Sequence, residues 1–264
     1  MDTDKLLQSI IDIVHDASKI MMNRDFVVRD KGDVSNLVTS SDIAVQKELE
    51  RKLTALLPGS VFLGEEGIVP DTDAEYVWVV DPIDGTANFA RDMGLSVISV
   101  ALLKYHEQFI GVIYQPYKDE TYYAVRGGGA FMNGKPIHVS DRDFRSSLLF
   151  SATCLYDKSL AHPCFEIIER VYAEADDLRR LGAAALELCQ VAVGRGELYF
   201  EIRLSCWDYA AGTLIIREAG GFVEIMFEDG VNYRKPAGVF AANTYENFER
   251  LKKIIYDVIK EPLY

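Results

Sequence analysis

No uninterrupted apolar run in the chain approaches the ~20 residues a helix needs to cross a bilayer. No positively charged, then apolar leader opens it either; it begins Met1-Asp2-Thr3-Asp4-Lys5. A soluble, cytoplasmic protein that does not engage membranes is the expectation. Cysteine is scarce: Cys154, Cys164, Cys189 and Cys206 are the only four, and they include no C-x-x-C pair. Reduced, mostly buried thiols fit that pattern better than a disulfide framework. Positive charge is short as well, 28 Lys and Arg against 41 Asp and Glu, for a net charge of −13. So acidic a chain is not expected to bind nucleic acid directly or to seek anionic lipid. A phosphate site stays open, because a bound cation reverses the local field. Repeats and low-complexity tracts are absent. Gly127-Gly128-Gly129 lacks the G-K-[ST] continuation of a phosphate loop and reads as a tight turn.

What remains is enough to build a sizeable core, since 49% of the 264 residues are hydrophobic. Leu6, Leu7, Ile10, Ile11, Val14, Ala17 and Met21 recur at helical spacing. A second helix, with Ser41 and Asp42 as N-cap candidates, would bury Ile43, Leu49, Leu53 and Leu56 and stop at Pro58-Gly59. Between them, Lys31-Gly32-Asp33 reads as a hairpin tip. Strand-like runs at 61–63, 95–103, 109–114, 122–125 and 130–132 predict an antiparallel sheet stacked on the two helices. The polar run from Ser140 to Ser146 marks a boundary, giving an N-terminal unit over 1–142 and an α/β unit over 143–264. The second unit reads as strands at 148–151, 198–202 and 239–242 with helices near 164–175, 188–191, 207–219 and 245–260.

The stretch Trp78 to Phe89, W-V-V-D-P-I-D-G-T-A-N-F, stands apart. Val79 and Val80 read as the end of a buried strand, and Pro82 turns the chain there. Asp81 and Asp84 then point into one small volume, where two carboxylates repel unless a cation lies between them; oxygen ligands suit Mg2+. Gly85 allows close backbone approach, and Thr86 is placed to cap a helix whose free N–H groups would face an anion. Ordinary turn chemistry also accounts for D-P-x-D-G. Other acids share this double reading. Glu65, after the strand 61–63, fits a solvated turn or an oxygen ligand. Asp42 and Asp208 fit helix starts. Arg179 and Arg180 fit a solvated pair or a contact to substrate phosphate or hydroxyl.

Together, L-V-T-S-S-D (37–42), G-E-E (64–66), W-V-V-D-P-I-D-G-T-A-N-F (78–89), G-A-A-A (182–185) and C-W-D-Y-A-A-G (206–212) resemble the inositol monophosphatase family. The resemblance runs through nearly the whole chain. It implies an α+β, layered α-β-α-β-α sandwich, usually a homodimer, and lithium-sensitive, Mg2+-dependent hydrolysis of a small phosphorylated polyol or sugar. By the same resemblance, Glu65, Asp81 and the Ile83 carbonyl hold one Mg2+, and Asp81, Asp84 and Asp208 a second. Glu65 with waters completes a weaker third site. Thr86 and Asp42 would activate water with Glu65 alongside, and Lys31 would approach the phosphate. Asp84, Gly85, Thr86, Gly182, Ala183, Ala184, Glu201, Asp208 and Arg180 would meet substrate.

Two departures from the family pattern concern specificity. Many relatives carry histidine where this chain has Arg91, and the animal enzymes carry threonine at Ala183. Ala87-Asn88-Phe89 after D-G-T sets the chain apart from the 3'-phosphoadenosine 5'-phosphate phosphatases, which usually continue with lysine and an acidic residue. Glu201 favours a hydroxyl-rich monoester such as myo-inositol 1-phosphate. Arg180 and Arg91 favour a bisphosphate such as fructose 1,6-bisphosphate. A different class of role, partner in a transcription complex, is open to some bacterial relatives; a full carboxylate set is surplus to that role.

Overall fold

Alternation along the strands decides which residues meet in the middle of this molecule. The computed structural model describes residues 2–23, 26–30, 37–67, 70, 73–152 and 157–263. Lys31, expected near the phosphate, and the hairpin tip around it lie outside these residues, as does Cys154. The chain opens with α1 (Thr3–Met22), the short antiparallel pair β1 (Val28–Asp30) and β2 (Leu37–Thr39), and α2 (Ser40–Leu56). There follow β3 (Val61–Gly64), β4 (Tyr76–Asp84), α3 (Thr86–Ala90), β5 (Val97–Lys104), β6 (Glu107–Gln115), β7 (Glu120–Val125), β8 (Ala130–Met132) and β9 (Lys135–Pro136). The second half comprises β10 (Leu148–Ala152), α4 (Ala161–Tyr172), β11 (Asp177–Arg179), α5 (Ala184–Ala192), β12 (Leu198–Leu204), α6 (Cys206–Glu218), β13 (Phe222–Ile225), β14 (Ala237–Ala242) and α7 (Tyr245–Val258).

Strands β3 to β9 form a seven-stranded sheet in sequence order. It is antiparallel except that β3 runs parallel to β4, a departure from the all-antiparallel expectation. The other sheet has five strands in the order β11-β10-β12-β14-β13, parallel on one side of β12 and antiparallel on the other. Trp78 and Val80 pack with Ile10, Val14, Leu49 and Leu53 from α1 and α2. Val77 and Val79, pointing the other way, pack with α5 and α6. Tyr199 and Val239 of the second sheet join that same central core. Leu198, Phe200 and Phe240 turn outward to Ile167 of α4 and Leu251 of α7. The layers therefore run helix, sheet, helix, sheet, helix, the α-β-α-β-α sandwich expected from the resemblance. The boundary expected at 142 falls between β9 and β10, and the central helices α5 and α6 come from the second half.

Alternation also places the acids. Asp81 follows Val77 and Val79 in phase, and Glu201 follows Tyr199, so both face the central helices. Asp84 would fall on the opposite face were β4 regular. However, the pairing advances from Asp81 to Asp84 on β4 while β5 moves only from Ser99 to Val97. That one-residue bulge reverses the phase and returns Asp84 to the side of Asp81. Ile83 is carried into the outer core instead. The strand thus bulges at Pro82 rather than ending at Asp81, correcting the expected turn.

Two local expectations at helix starts also change. In α2 the N-cap is Thr39, not Ser41 or Asp42; Asp42 is the third residue of a capping box, with its carboxylate accepting the Thr39 backbone N–H at 2.8 Å. The helix buries Val45, Gln46, Leu49 and Leu53, leaving Ile43 39% exposed. The N-cap of α3 is Gly85, at φ +84°, and Thr86 is its first residue, so the Thr86 hydroxyl is released from capping.

Candidate active site

One cleft is lined by Glu65, Asp81, Ile83, Asp84, Gly85 and Thr86 from the first half of the chain. Arg180, Gly182, Ala183, Ala184, Glu201 and Asp208 line it from the second. Carboxylate oxygens of Asp81, Asp84 and Asp208 lie within 4.8 Å of one another. Asp81 and Asp84 come from the bulged end of β4. Asp208 sits in the first turn of α6, where its carboxylate closes a capping box by accepting the Ser205 N–H at 2.7 Å. Capping and site membership, read as alternatives from the sequence, coincide in one side chain.

The cluster is electrostatically overloaded. Burial, then repulsion from Glu65, Asp84, Asp208 and Asp42, pushes Asp81 well above the ordinary carboxylate range. Burial likewise raises Asp84 to about 7, against the opposing pull of the Ala185, Leu186 and Ala184 amides. Asp208 is raised by burial and then by Asp84 and Glu65. A tight set of buried oxygen donors that repel one another is the donor chemistry of a hard divalent cation. The residues fit Mg2+.

Asp84 has a second attachment. Its Oδ1 accepts the Ala184 N–H at 3.1 Å and its Oδ2 the Ala185 N–H at 2.8 Å. These are amides at the start of α5, whose own N-cap residue, Ala183, supplies no side-chain bond. A carboxylate a hundred residues upstream therefore satisfies this helix end. Asp42 does not line the cleft. It is buried behind Thr86, whose one hydroxyl hydrogen is shared between Asp42 Oδ1 at 3.0 Å and the Ile83 carbonyl at 3.1 Å. Burial raises the Asp42 carboxyl above its ordinary value.

Glu201 is buried at the second-half wall, with the Tyr199 hydroxyl donating to it at 3.0 Å. Burial, followed by repulsion from Glu187 and Asp208, raises it well above the carboxylate range. Arg180 reaches the lining, whereas Arg91 and Arg179 do not: Arg91 donates to the Ala87 carbonyl at 3.2 Å, and Arg179 pairs with Asp177. Arg91 therefore lends no support to a bisphosphate pocket. Sequence reasoning missed Arg203 and Glu187, which also line the cleft. Arg203 follows Glu201 by two along β12, so strand alternation could have found it. Glu187 looks like an ordinary first-turn helix residue, and nothing local distinguishes it.

Comparison with known proteins agrees with this geometry. The model of the inositol monophosphatase family matches residues 3–260. An inositol-1-monophosphatase of Mesorhizobium japonicum is 37% identical over 247 residues, covering 89% of this chain and 91% of that protein. The Nus factor SuhB of Haemophilus influenzae is 34% identical over 233 residues, 88% of this chain and 87% of its own. Among solved structures, the extragenic suppressor protein suhB of Bartonella henselae superposes with a TM-score of 0.87 at 31% identity, covering 97% of this chain and 100% of that one. Inositol monophosphatase from Anabaena gives 0.85 at 27%, covering 100% and 99%. With its sandwich, its carboxylate cluster and matches along nearly its whole length, this chain belongs to the inositol monophosphatase family, the metal-dependent, lithium-sensitive phosphatases.

Proposed function

We propose that this Mg2+-dependent phosphatase hydrolyses myo-inositol 1-phosphate, or a close hydroxyl-rich monoester, by direct attack of water. The observation that carries the reading is that one cleft holds both the aspartate cluster and the buried Glu201 carboxyl, an acceptor suited to polyol hydroxyls. Glu65, Asp81, the Ile83 carbonyl, Asp84 and Asp208 would hold two or three Mg2+, which supply Lewis-acid stabilisation of phosphoryl oxygens and acidify a bound water. Thr86 lines the cleft and donates towards Asp42, which leaves its oxygen to accept a hydrogen bond from a water and orient it. Asp42, raised by burial, is the acceptor behind that hydroxyl. The Glu201 carboxyl, backed by Tyr199, hydrogen-bonds the polyol hydroxyls of the leaving group, and the amides at the start of α5 border the same space. Lys31 would approach the phosphate. The working form is proposed as a cytoplasmic homodimer, each subunit comprising units 1–142 and 143–264.

One phosphate-release panel with Mg2+ tests the substrate: myo-inositol 1-phosphate, fructose 1,6-bisphosphate, 3'-phosphoadenosine 5'-phosphate and histidinol phosphate. The expected outcome is the highest kcat/KM on the inositol ester. A tenfold preference for fructose 1,6-bisphosphate, about 1.4 kcal/mol of transition-state binding, would overturn the substrate while leaving the reaction class intact; Arg180 and Arg203 at the cleft are the residues that would then matter. A second reading is prompted by relatives named Nus factor SuhB, namely service as a protein partner in transcription. Full rescue of a deletion phenotype by Asp84→Asn would favour that role over catalysis.

A further inference from the structure

The turn at Leu181-Gly182 joins β11 to α5 and carries Arg180 on one side and Ala183 and Ala184 on the other. Gly182 has φ +78°, a conformation that suits glycine, and a Cβ there would approach the Asn88 amide at 3.3 Å. Two side chains engage the backbone polar groups of the two residues, Glu187 from five and six residues along the chain and Asn88 from across the fold. The Leu181 N–H donates to Glu187 Oε1, as does the Gly182 N–H at 3.0 Å. Asn88 Nδ2 donates to the Leu181 carbonyl at 2.7 Å and the Leu95 carbonyl at 2.9 Å, with the Gly182 carbonyl sharing one of its two hydrogens at 3.2 Å. Asn88 lies just beyond Thr86 in the metal-binding stretch, and Glu187 lies one turn into α5.

Glu187 is fully buried, and its second oxygen, Oε2, has no hydrogen-bond partner. Burying a carboxyl with half its acceptors idle is costly. Nothing in the helix needs it there, because the exposed face of a first turn suits an acid equally well. The bonds it does make serve the turn.

We propose that Glu187 is a positioning residue for the substrate: by holding the Leu181 and Gly182 amides against the pull of Asn88, it sets the pose of Arg180, Ala183 and Ala184 at the polyol end of the cleft. This rests on the phosphatase reading above and names a residue that governs its specificity. The turn leads into the Ala184 N–H that Asp84 Oδ1 accepts, but Asp84 keeps the Ala185 N–H on its other oxygen. Loosening the clamp therefore acts chiefly on the leaving-group side and weakens substrate and transition state alike. The loss therefore appears in KM rather than kcat.

The test is steady-state phosphate release by wild type, Glu187→Ala, Glu187→Asp and Glu187→Gln, on myo-inositol 1-phosphate and on phenyl phosphate, which has no hydroxyls to recognise. In Glu187→Ala, KM for the inositol ester should rise about fivefold or more with kcat held within about twofold, while KM for phenyl phosphate moves less than about twofold. Glu187→Asp draws the carboxylate back from the amides and should raise KM in the same sense, so the comparison survives should the alanine variant not fold. Glu187→Gln keeps an acceptor oxygen at full reach and should restore the wild-type KM. Equal losses on both esters, a fall in kcat, or an aspartate variant that works where the glutamine variant fails would each overturn the inference. A wild-type enzyme preferring another polyol phosphate would sink only the substrate reading, and the same comparison would then be made on that ester.

Discussion

Asp42 serves two neighbours through its two oxygens. Oδ2 accepts the Thr39 hydroxyl and the Thr39 backbone N–H, fixing the start of α2. Oδ1 accepts the Thr86 hydroxyl that faces the cleft. Thr39→Val keeps the branched shape and removes the capping oxygen, so it should cost about 1 kcal/mol of stability. It also frees Asp42 to rotate away from Thr86, and kcat should fall about tenfold with the Mg2+ requirement unchanged. Thermal melts and steady-state rates across Mg2+ concentrations measure both effects. Asp84 is double-tasked in a different way, since it joins the carboxylate cluster and caps α5. In Asp84→Asn the side-chain NH2 must face an Ala184 or Ala185 amide or the cluster. Weak Mg2+ binding by calorimetry should therefore accompany a fold that persists but melts earlier. Normal turnover by this variant would remove Asp84 from the mechanism.

At the scale of elements, the site depends on how closely α5 approaches α6, because α5 brings the amides on Asp84 and α6 brings Asp208. Gly212 marks their crossing: a Cβ there would lie 2.7 Å from Leu188 Cδ1 and 2.8 Å from Leu188 Cβ. Gly212→Ala forces the helices apart and should cost about 1–3 kcal/mol. Urea unfolding reports that loss. Adding Leu188→Gly removes Cδ1 and Cβ alike and clears the clash, so the double variant should be less destabilised than the sum of the two single changes. Additivity would show that the contact does not set the helix spacing.

Across the whole molecule the carboxylate cluster makes stability depend on both pH and metal. Asp84 is raised by burial from an unfolded value near 3.8 to about 7, and Glu187 from 4.5 to about 7. Below the unfolded values these groups are protonated in both states and do not oppose folding. Between those values and about 7 the native state binds the extra protons, so the metal-free protein should lose stability as pH rises through that window. Above it the full penalty of the ionised cluster remains. Mg2+ binds the ionised form, so its stabilisation should grow with pH. Melting temperatures with EDTA and with Mg2+ should diverge from pH 5 to pH 8. Parallel curves would mean that the cluster is not the metal site. No described helix is long and apolar enough to cross a membrane.

Strand parity and helix spacing are local properties. Helix spacing marked the buried face of α1, and parity puts Asp81 on one face with Val77 and Val79 and Glu201 on one face with Tyr199. But β4 and β12 are buried on both faces, so only the closed layers decide which face meets the central helices. The order of acidic motifs likewise made the family legible before any coordinates. Asp84 is different: its direction depends on a bulge in the pairing of β4 with β5, and register belongs to two strands at once. The same holds for the amides of Ala184 and Ala185 capped by Asp84, and for the Leu181-Gly182 turn held between Asn88 and Glu187. In each case a backbone group left unsatisfied by its own neighbours finds its partner some distance along the chain or across the fold. Periodicity carries no record of such pairings, because they exist only once the layers have closed and buried polar groups must be matched.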